Sequence, residues 1–359
     1  MTTGVPVNRI VKVLVVDDSA YVRKMVTQML ARSPFIEVVG SARDGREALA
    51  MAEELDPDVI TCDLNMPEMD GVTFVREQMA RRPTPVVIIS VADQSSDRAL
   101  AALDAGAIDI VQKPTALASD RLLEVADDLL EKVKAAALAP MRRVFVASGP
   151  VPAPPTARSI VAPISIRSAT RRIDVVVIGI STGGPQALKL MIPRLPGNLS
   201  VPIAVVLHMP VGYTDMYAQK LNEACELTVK EAAEGDELAP GVVLIAPAGR
   251  HLRCRRVGER VLAHLDLRPL DTPHRPAADV LFQSAAEVFG ARTLAIVMTG
   301  MGSDGREGAA WVKAKGGQVL TEAEESCVVY GMPRSVVDAG LSDASVALAQ
   351  MANAIVERL

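Results

Sequence analysis

Residues 10–19 read IVKVLVVDDS, an apolar, β-branched run that stops abruptly at two aspartates and a serine. Valine and isoleucine suit a pleated, extended backbone, and a run apolar on both alternating faces belongs to a strand covered on both sides. Ile10–Val16 is therefore read as a strand whose C-terminal end opens onto carboxylates. Outward from it, helical periodicity over Ser19–Arg32 and Gly45–Leu55 alternates with short apolar runs at Ile36–Ala42, Val59–Leu64, Val86–Val91 and Ile108–Val111. That alternation predicts a doubly wound α/β domain built on a five-stranded parallel sheet.

The pattern breaks between Ala139 and Arg172, which hold six prolines, six arginines and no acidic residue. Such a stretch is expected to be an extended linker with solvated charges. Alternation then resumes, with strands expected at Asp174–Ile180, Ile203–Leu207, Val242–Ile245, Val261–Leu265, Leu294–Thr299 and Gln318–Thr321. Arg250–Leu267 reads as a hairpin with Gly258 in its turn. The 359 residues thus divide into an N-terminal domain over 8–136, a linker over 137–172 and a second, mainly parallel α/β domain over 173–359.

Composition narrows the functions open to these domains. Aromatic residues make up 3% of the chain and the net charge is −5, so neither base stacking nor a basic surface points to a nucleic-acid partner. Cys62, Cys225, Cys254 and Cys327 are widely spaced, without the CxxC pairs of a zinc site or the density of a disulfide scaffold. Met1–Ile10 lacks the apolar core of a signal peptide, and no apolar run approaches the roughly 18–20 residues that span a bilayer. The expectation is a reduced, cytoplasmic protein without membrane insertion.

In the first domain, chemistry-bearing residues stand just past strand ends. Asp17 and Asp18 follow the first strand, Asp63 ends the third, Ser90 the fourth, and Lys113 follows the fifth. Strand ends of an open α/β sheet converge on one crevice. Three carboxylates gathered there repel one another unless a hard cation such as Mg²⁺ binds. Any one of these aspartates could be a helix cap or turn residue; the whole set suits an aspartate that accepts a phosphoryl group. The blocks VVDDS (15–19), DLNMPEMDG (63–71) and QKP (112–114) resemble the receiver domains of two-component response regulators. That resemblance implies Asp63 as phosphoacceptor, Asp17 and Asp18 in Mg²⁺ binding, Ser90 as switch hydroxyl and Lys113 as phosphate contact. Receivers usually carry an aromatic switch residue three positions before that lysine, where this chain has Ile110.

The second domain offers a nucleophile. The strand Asp174–Ile180 runs into Ser181-Thr182-Gly183-Gly184-Pro185, and residues 179–183 fit G-x-S-x-G, whose small neighbours let a tight turn expose a serine oxygen. Among the four histidines, His208 directly follows the strand Ile203–Leu207 and is the best-placed base. His251 and His264 lie in the hairpin and read as ordinary strand or surface residues, while His274, in the loop TPHRP, is a candidate substrate contact. Leu294–Met298 leads into TGMGSDG (299–305), which puts Asp304 at a third strand end, as an orienting acid or as a helix cap. The order Ser…His…Asp matches neither the α/β-hydrolase nor the two protease orders. A cofactor loop of the G-x-G-x-x-G type is broken at Ser181, which disfavours a nicotinamide oxidoreductase.

The blocks GISTGGP, LHMP, HRPAADVLF, TGMGSDG and YGMPRSVVDAG resemble the catalytic domain of the chemotaxis response regulator protein-glutamate methylesterase/protein-glutamine glutaminase family, from about Asp174 to Leu359. The same architecture carries an N-terminal receiver. The resemblance implies Ser181 as nucleophile, His208 as base and Asp304 as its partner, with Thr182 and the backbone of Met301 near the oxyanion. It also implies hydrolysis of glutamyl methyl esters and side-chain amides on methyl-accepting chemotaxis receptors, without a cofactor for that step. A chemotaxis histidine kinase is the implied phosphodonor.

Overall fold

The structure is a computed structural model that describes residues 9–113, 119–139 and 172–359. Most of the linker expected at 137–172 lies outside the described residues.

The first domain contains β1 (Val11–Val16), β2 (Ile36–Ala42), β3 (Val59–Asp63), β4 (Val86–Ser90) and β5 (Asp109–Gln112), each within two residues of its expected bounds. They form one parallel sheet in the order β2-β1-β3-β4-β5. Helices α1 (Ala20–Leu30), α2 (Gly45–Leu55), α3 (Gly71–Arg81), α4 (Ala92–Asp104) and α5 (Ser119–Leu138) connect and cover it. Their starts follow capping chemistry: Asp44 accepts the N–H groups of Arg46 and Glu47 at 2.9 Å, and Asp70 accepts that of Thr73 at 2.8 Å. The chain steps from β1 outward to β2, then crosses back to β3 on the other side of β1. A crevice opens where the order reverses, flanked by the ends of β1 and β3.

The second domain repeats this logic. Strands β6 (Val175–Ile180), β7 (Ile203–Leu207), β8 (Thr228–Glu231), β9 (Val242–Ile245), β12 (Thr293–Val297), β13 (Gln318–Glu322) and β14 (Ala344–Val346) form a parallel sheet in the order β14-β13-β12-β6-β7-β9-β8. Between β9 and β12 the strands β10 (His251–Val257) and β11 (Arg260–Asp266) pair antiparallel as the expected hairpin, with Gly258 at φ +61° in its turn. The helices here are α6 (Gly184–Met191), α7 (Thr214–Glu223), α8 (Ala278–Phe289), α9 (Arg306–Ala314), α10 (Met332–Asp338) and α11 (Leu348–Val356). The central strand β6 is wholly buried: Val176, Ile178 and Ile180 enter one apolar layer, Val175 and Val177 the other. Each such side chain contributes about 1.5–3 kcal/mol by leaving water. The edge strands β8 (TVKE) and β14 (ASV) escape the sequence pattern because they are short and half-exposed. Their backbone pairing places them, not an apolar run.

The two domains pack together through α4, the turn after it and β5 of the first and through α6 and α7 of the second. Gln186 Nε2 donates to the carbonyl of Ala107 at 2.6 Å, Lys189 pairs with Asp104 at 2.7 Å, and Lys220 pairs with Asp97 at 3.0 Å. Among the described residues no helix is long and apolar enough to cross a membrane.

Gly71 shows how tightly the first site is framed, since a Cβ there would stand 2.2 Å from the carbonyl oxygen of Asp63. Gly71→Ala is expected to lower the stability of the full chain by about 1–3 kcal/mol, the usual cost of overpacking, read from its urea midpoint. An unchanged midpoint would show that α3 slides freely past Asp63.

Candidate active site and phosphoacceptor site

At the end of the first sheet, one ligand oxygen each of Asp17, Asp18 and Asp63 lie within 4.8 Å of one another. Lys113, carried just past β5, reaches across to Asp17 Oδ2 at 2.8 Å and Asp63 Oδ2 at 3.1 Å. Burial pushes the Asp63 carboxyl up from its ordinary value, with the charge of Asp17 adding and that of Lys113 opposing. Burial disfavours the Lys113 charge, but hydrogen bonds and charges from Asp17 and Asp63 outweigh it and raise the ammonium. A close, all-oxygen set with excess negative charge fits a hard divalent cation such as Mg²⁺. Ser90 is buried at the end of β4, and Ile110 is packed in the core at 1% exposure, where a rotating aromatic ring would otherwise be expected.

In the second domain Ser181, His208 and the 299–304 loop meet because they leave three adjacent strands, β6, β7 and β12. Ser181 N donates to the carbonyl of Thr299 at 2.9 Å, and His208 N to that of Ile180 at 3.1 Å. His208 Nε2 lies 2.8 Å from Asp304 Oδ2, and both side chains are 8% exposed. With Nε2–H donating to the carboxylate, the lone pair falls on Nδ1, which is buried without a partner among the described residues. Asp304 also accepts the N–H groups of Ala278 at 2.7 Å and Asp279 at 3.0 Å, at the start of α8. Burial alone would raise Asp304, yet the imidazole and these N–H groups together hold its carboxyl well below the usual range. Asp304 thus caps α8, not the helix that follows it, while it lies against the histidine.

The same loops pack around Ser181. Thr182 is buried beside Ser181, and the Thr299 hydroxyl donates to the Thr182 carbonyl at 3.0 Å. Gly300, next to Met301, passes so close that a Cβ would stand 2.7 Å from Ser181 Cβ and 2.4 Å from Met332 Sδ. His274 stacks on His208 with ring centroids 4.2 Å apart and a tilt of 29°. Burial, helped by the charge of His208, lowers His274 to about 4, so it is neutral near pH 7.

Several residues at the site were not singled out from sequence. His251 reads as an ordinary strand residue but is completely buried, accepting the N–H of Ala277 at Nδ1 and meeting the Pro269 carbonyl at Nε2, 3.1 Å away. It therefore pins the loop that carries His274, whereas His264 stays half-exposed beside Glu234. Glu322, at the end of β13, accepts the N–H of Thr299 and the hydroxyl of Ser326, both at 3.0 Å. The strand-end rule that marks Ser181, His208 and Asp304 would have marked it too. Finally, Asp109 of the first domain accepts the hydroxyl of Thr182 at 2.8 Å and lies 3.5 Å from Lys132 of α5. Lys132 in turn donates to the Ile110 carbonyl at 2.6 Å. An open cleft of about 800 Å³ separates α5, at Val125, Asp128 and Lys132, from His208, His274 and Arg275.

Fold and sites together define a two-domain α/β protein, a carboxylate–lysine receiver docked on a Ser-His-Asp domain. Comparison with known proteins agrees. Residues 13–127 match the response regulator receiver domain model and residues 176–355 the CheB methylesterase model. The protein-glutamate methylesterase/protein-glutamine glutaminase 5 of Myxococcus xanthus is 48% identical over 343 residues, covering 95% of this chain and 96% of that one. The corresponding protein of Halalkalibacterium halodurans is 40% identical, covering 97% and 98%. The solved CheB methylesterase catalytic domain of Thermotoga maritima is 43% identical and superposes with a TM-score of 0.51, covering 53% of this chain and all of that one. The chain belongs to the CheB family of protein-glutamate methylesterases/protein-glutamine glutaminases.

Glu322 makes the site's framework sensitive to pH. Burial pushes its carboxyl from 4.5 up to about 7 against the hydrogen bonds that favour its charge. A folded value above the unfolded one means that its stabilising contribution is complete below pH 4.5 and is lost as pH rises through about 7. Glu322→Gln, which cannot ionise, is expected to gain stability over wild type as pH rises between 4.5 and about 7, by up to about 3 kcal/mol. Urea melts across that range check this; parallel pH curves would show that Glu322 does not titrate in the folded state.

Proposed function

We propose that this chain is a phosphorylation-activated serine hydrolase that removes methyl groups from glutamyl esters, and deamidates glutamines, on methyl-accepting chemotaxis receptors in the cytoplasm. The observation that carries the reading is the convergence of Ser181, His208 and Asp304 at three neighbouring strand ends, with His208 Nε2 held 2.8 Å from Asp304. Ser181 Oγ attacks the ester carbonyl as its proton passes to His208 Nδ1, the buried ring nitrogen that has no hydrogen-bond partner among the described residues. Asp304, held ionised, stabilises the imidazolium that forms. The oxyanion sits by Thr182 and the backbone of Met301, where each well-aimed donor is worth about 2.7–4 kcal/mol. The imidazolium returns its proton to the departing methanol, or to ammonia from an amide. Water, deprotonated by the same Nδ1, then releases the glutamate and frees the serine.

The receiver supplies the control. Asp63 accepts a phosphoryl group from a histidine kinase, and Mg²⁺ held by Asp17, Asp18 and Asp63 neutralises phosphate charge when bound. In the unphosphorylated arrangement Asp109 holds the Thr182 hydroxyl beside the nucleophile, and α5 stands across the cleft from His208. A phosphoryl group on Asp63 competes for Lys113, which lies at the far end of the strand that carries Asp109. The Asp109–Thr182 contact belongs to the closed arrangement alone, which is the differential interaction a switch requires.

Methanol release from methylated receptor membranes tests both parts. Ser181→Ala is expected to lower release by about 10⁴-fold or more, as loss of a serine nucleophile does. Asp109→Ala is expected to raise release without phosphodonor by about 5- to 30-fold, the shift that losing a contact of about 1–2 kcal/mol permits. Undiminished release by Ser181→Ala would remove the serine from the mechanism. An unchanged basal rate in Asp109→Ala would remove the latch.

A further inference from the structure

The cleft between α5 and His208 has two cations among its lining residues, Lys132 on the receiver wall and Arg275 on the hydrolytic wall. Lys132 is engaged on all sides: its ammonium meets Asp128 at 3.3 Å, Asp109 at 3.5 Å and the Ile110 carbonyl at 2.6 Å. Arg275 has no such company. Among the described residues its guanidinium makes one hydrogen bond, from Nη2 to the Leu270 carbonyl at 3.2 Å, and pairs with no carboxylate. Its Nε is buried without a hydrogen-bond partner among them.

The backbone on both sides of this residue is held. The Arg275 carbonyl accepts the N–H of Gly249 at 2.9 Å, and the N–H of Ala277 is tied to His251 Nδ1 at 3.2 Å. The preceding residue, His274, stacks on the ring of His208. Arg275 is thus half-buried on the wall of the cleft, one residue from a ring that touches the general base.

A guanidinium carries five N–H donors in a rigid fork that matches a carboxylate, and it stays charged throughout the working pH range. A charge drawn partly out of water is costly unless an anion pairs with it. The Leu270 bond uses one donor and leaves the charge unanswered. A neutral ester or amide cannot answer it, so the reacting side chain is not the partner. The reaction itself makes suitable anions, because each turnover leaves a carboxylate. A receptor segment with more than one glutamyl site then carries an acid beside a remaining ester.

We propose that Arg275 is a specificity-determining residue of the hydrolytic site: it binds a carboxylate of the substrate segment next to the reacting ester or amide. The bound acid fixes the segment across the His208–His274 pair without touching the reacting carbonyl, so the effect falls on KM. The inference rests on the serine-hydrolase reading.

The experiment uses the full chain with phosphodonor and Mg²⁺. It measures methanol release from membranes holding a receptor with one ester site, whose neighbouring acids are kept or replaced by alanine. On the acidic receptor Arg275→Gln is expected to raise KM by about 10- to 100-fold with little change in kcat, the range for losing a hydrogen bond to a charged group. Arg275→Lys, a point charge without the fork, is expected to fall in between. On the alanine receptor wild type is expected to show the raised KM, and Arg275→Gln to add nothing to it. A wild-type KM that ignores the neighbouring acids would overturn the proposal. So would an equal rise for Arg275→Gln on both receptors, the mark of a purely structural role. If Arg275→Gln relieves inhibition by demethylated receptor and leaves KM alone, the arginine holds the product carboxylate and the proposal fails. Ser181→Ala, with and without Arg275→Gln, separates this from the mechanism through co-sedimentation with the two membranes. Tighter pelleting with the acidic receptor that depends on Arg275 supports the proposal even if Ser181→Ala stays active, and equal pelleting overturns it.

Discussion

Everything functional in this protein depends on one constraint of parallel sheets: where the strand order reverses, two neighbouring strand ends are left facing a crevice that no connection covers. The receiver reverses between β1 and β3, and there Asp17, Asp18 and Asp63 gather. The second domain reverses between β6 and β12, and there Ser181 meets the 299–304 loop, with His208 on the other side of β6. The sheets need apolar strands buried on both faces, so the polar residues of each strand are driven to its ends. Burial of the sheet and exposure of the chemistry are the same event.

The low-dielectric surroundings then set the charges. Around Asp63, burial and the charge of Asp17 are opposed by a single lysine, and the three carboxylates stay close together. Around Asp304 the balance goes the other way, because helix-start amides and an imidazole all converge on one carboxylate. The neighbouring acids Asp279 and Glu322 are both raised. The hydrolytic site is thus framed by one firmly ionised carboxylate and two acids that resist ionising.

The domain interface couples these two electrostatic systems through few groups. Asp109 begins β5, Lys113 follows it, and Lys132 holds both Asp109 and the Ile110 carbonyl from α5. Because Asp109 spends one oxygen on the Thr182 hydroxyl, the start of β5 is tied directly to the residue beside Ser181. Ile110 is packed in the core between Asp109 and Lys113.

The sequence by itself determined both α/β domains, because runs such as VKVLVV and VVVIGI have only one stable environment, the middle of a covered parallel sheet. It also placed Asp17, Asp63, Ser181 and His208 at strand ends, since a strand-end position can be read from where an apolar run stops. The edge strands β8 and β14 were not legible, being placed by hydrogen bonding to a sheet that already exists. Nor could the chain alone reveal that His251 is buried, that Asp304 caps a helix other than its own, or that Asp109 closes on Thr182 across 73 residues. Those facts depend on which strand ends and helix starts become neighbours, and on the burial that fixes each group's proton. Only the tertiary structure decides either one.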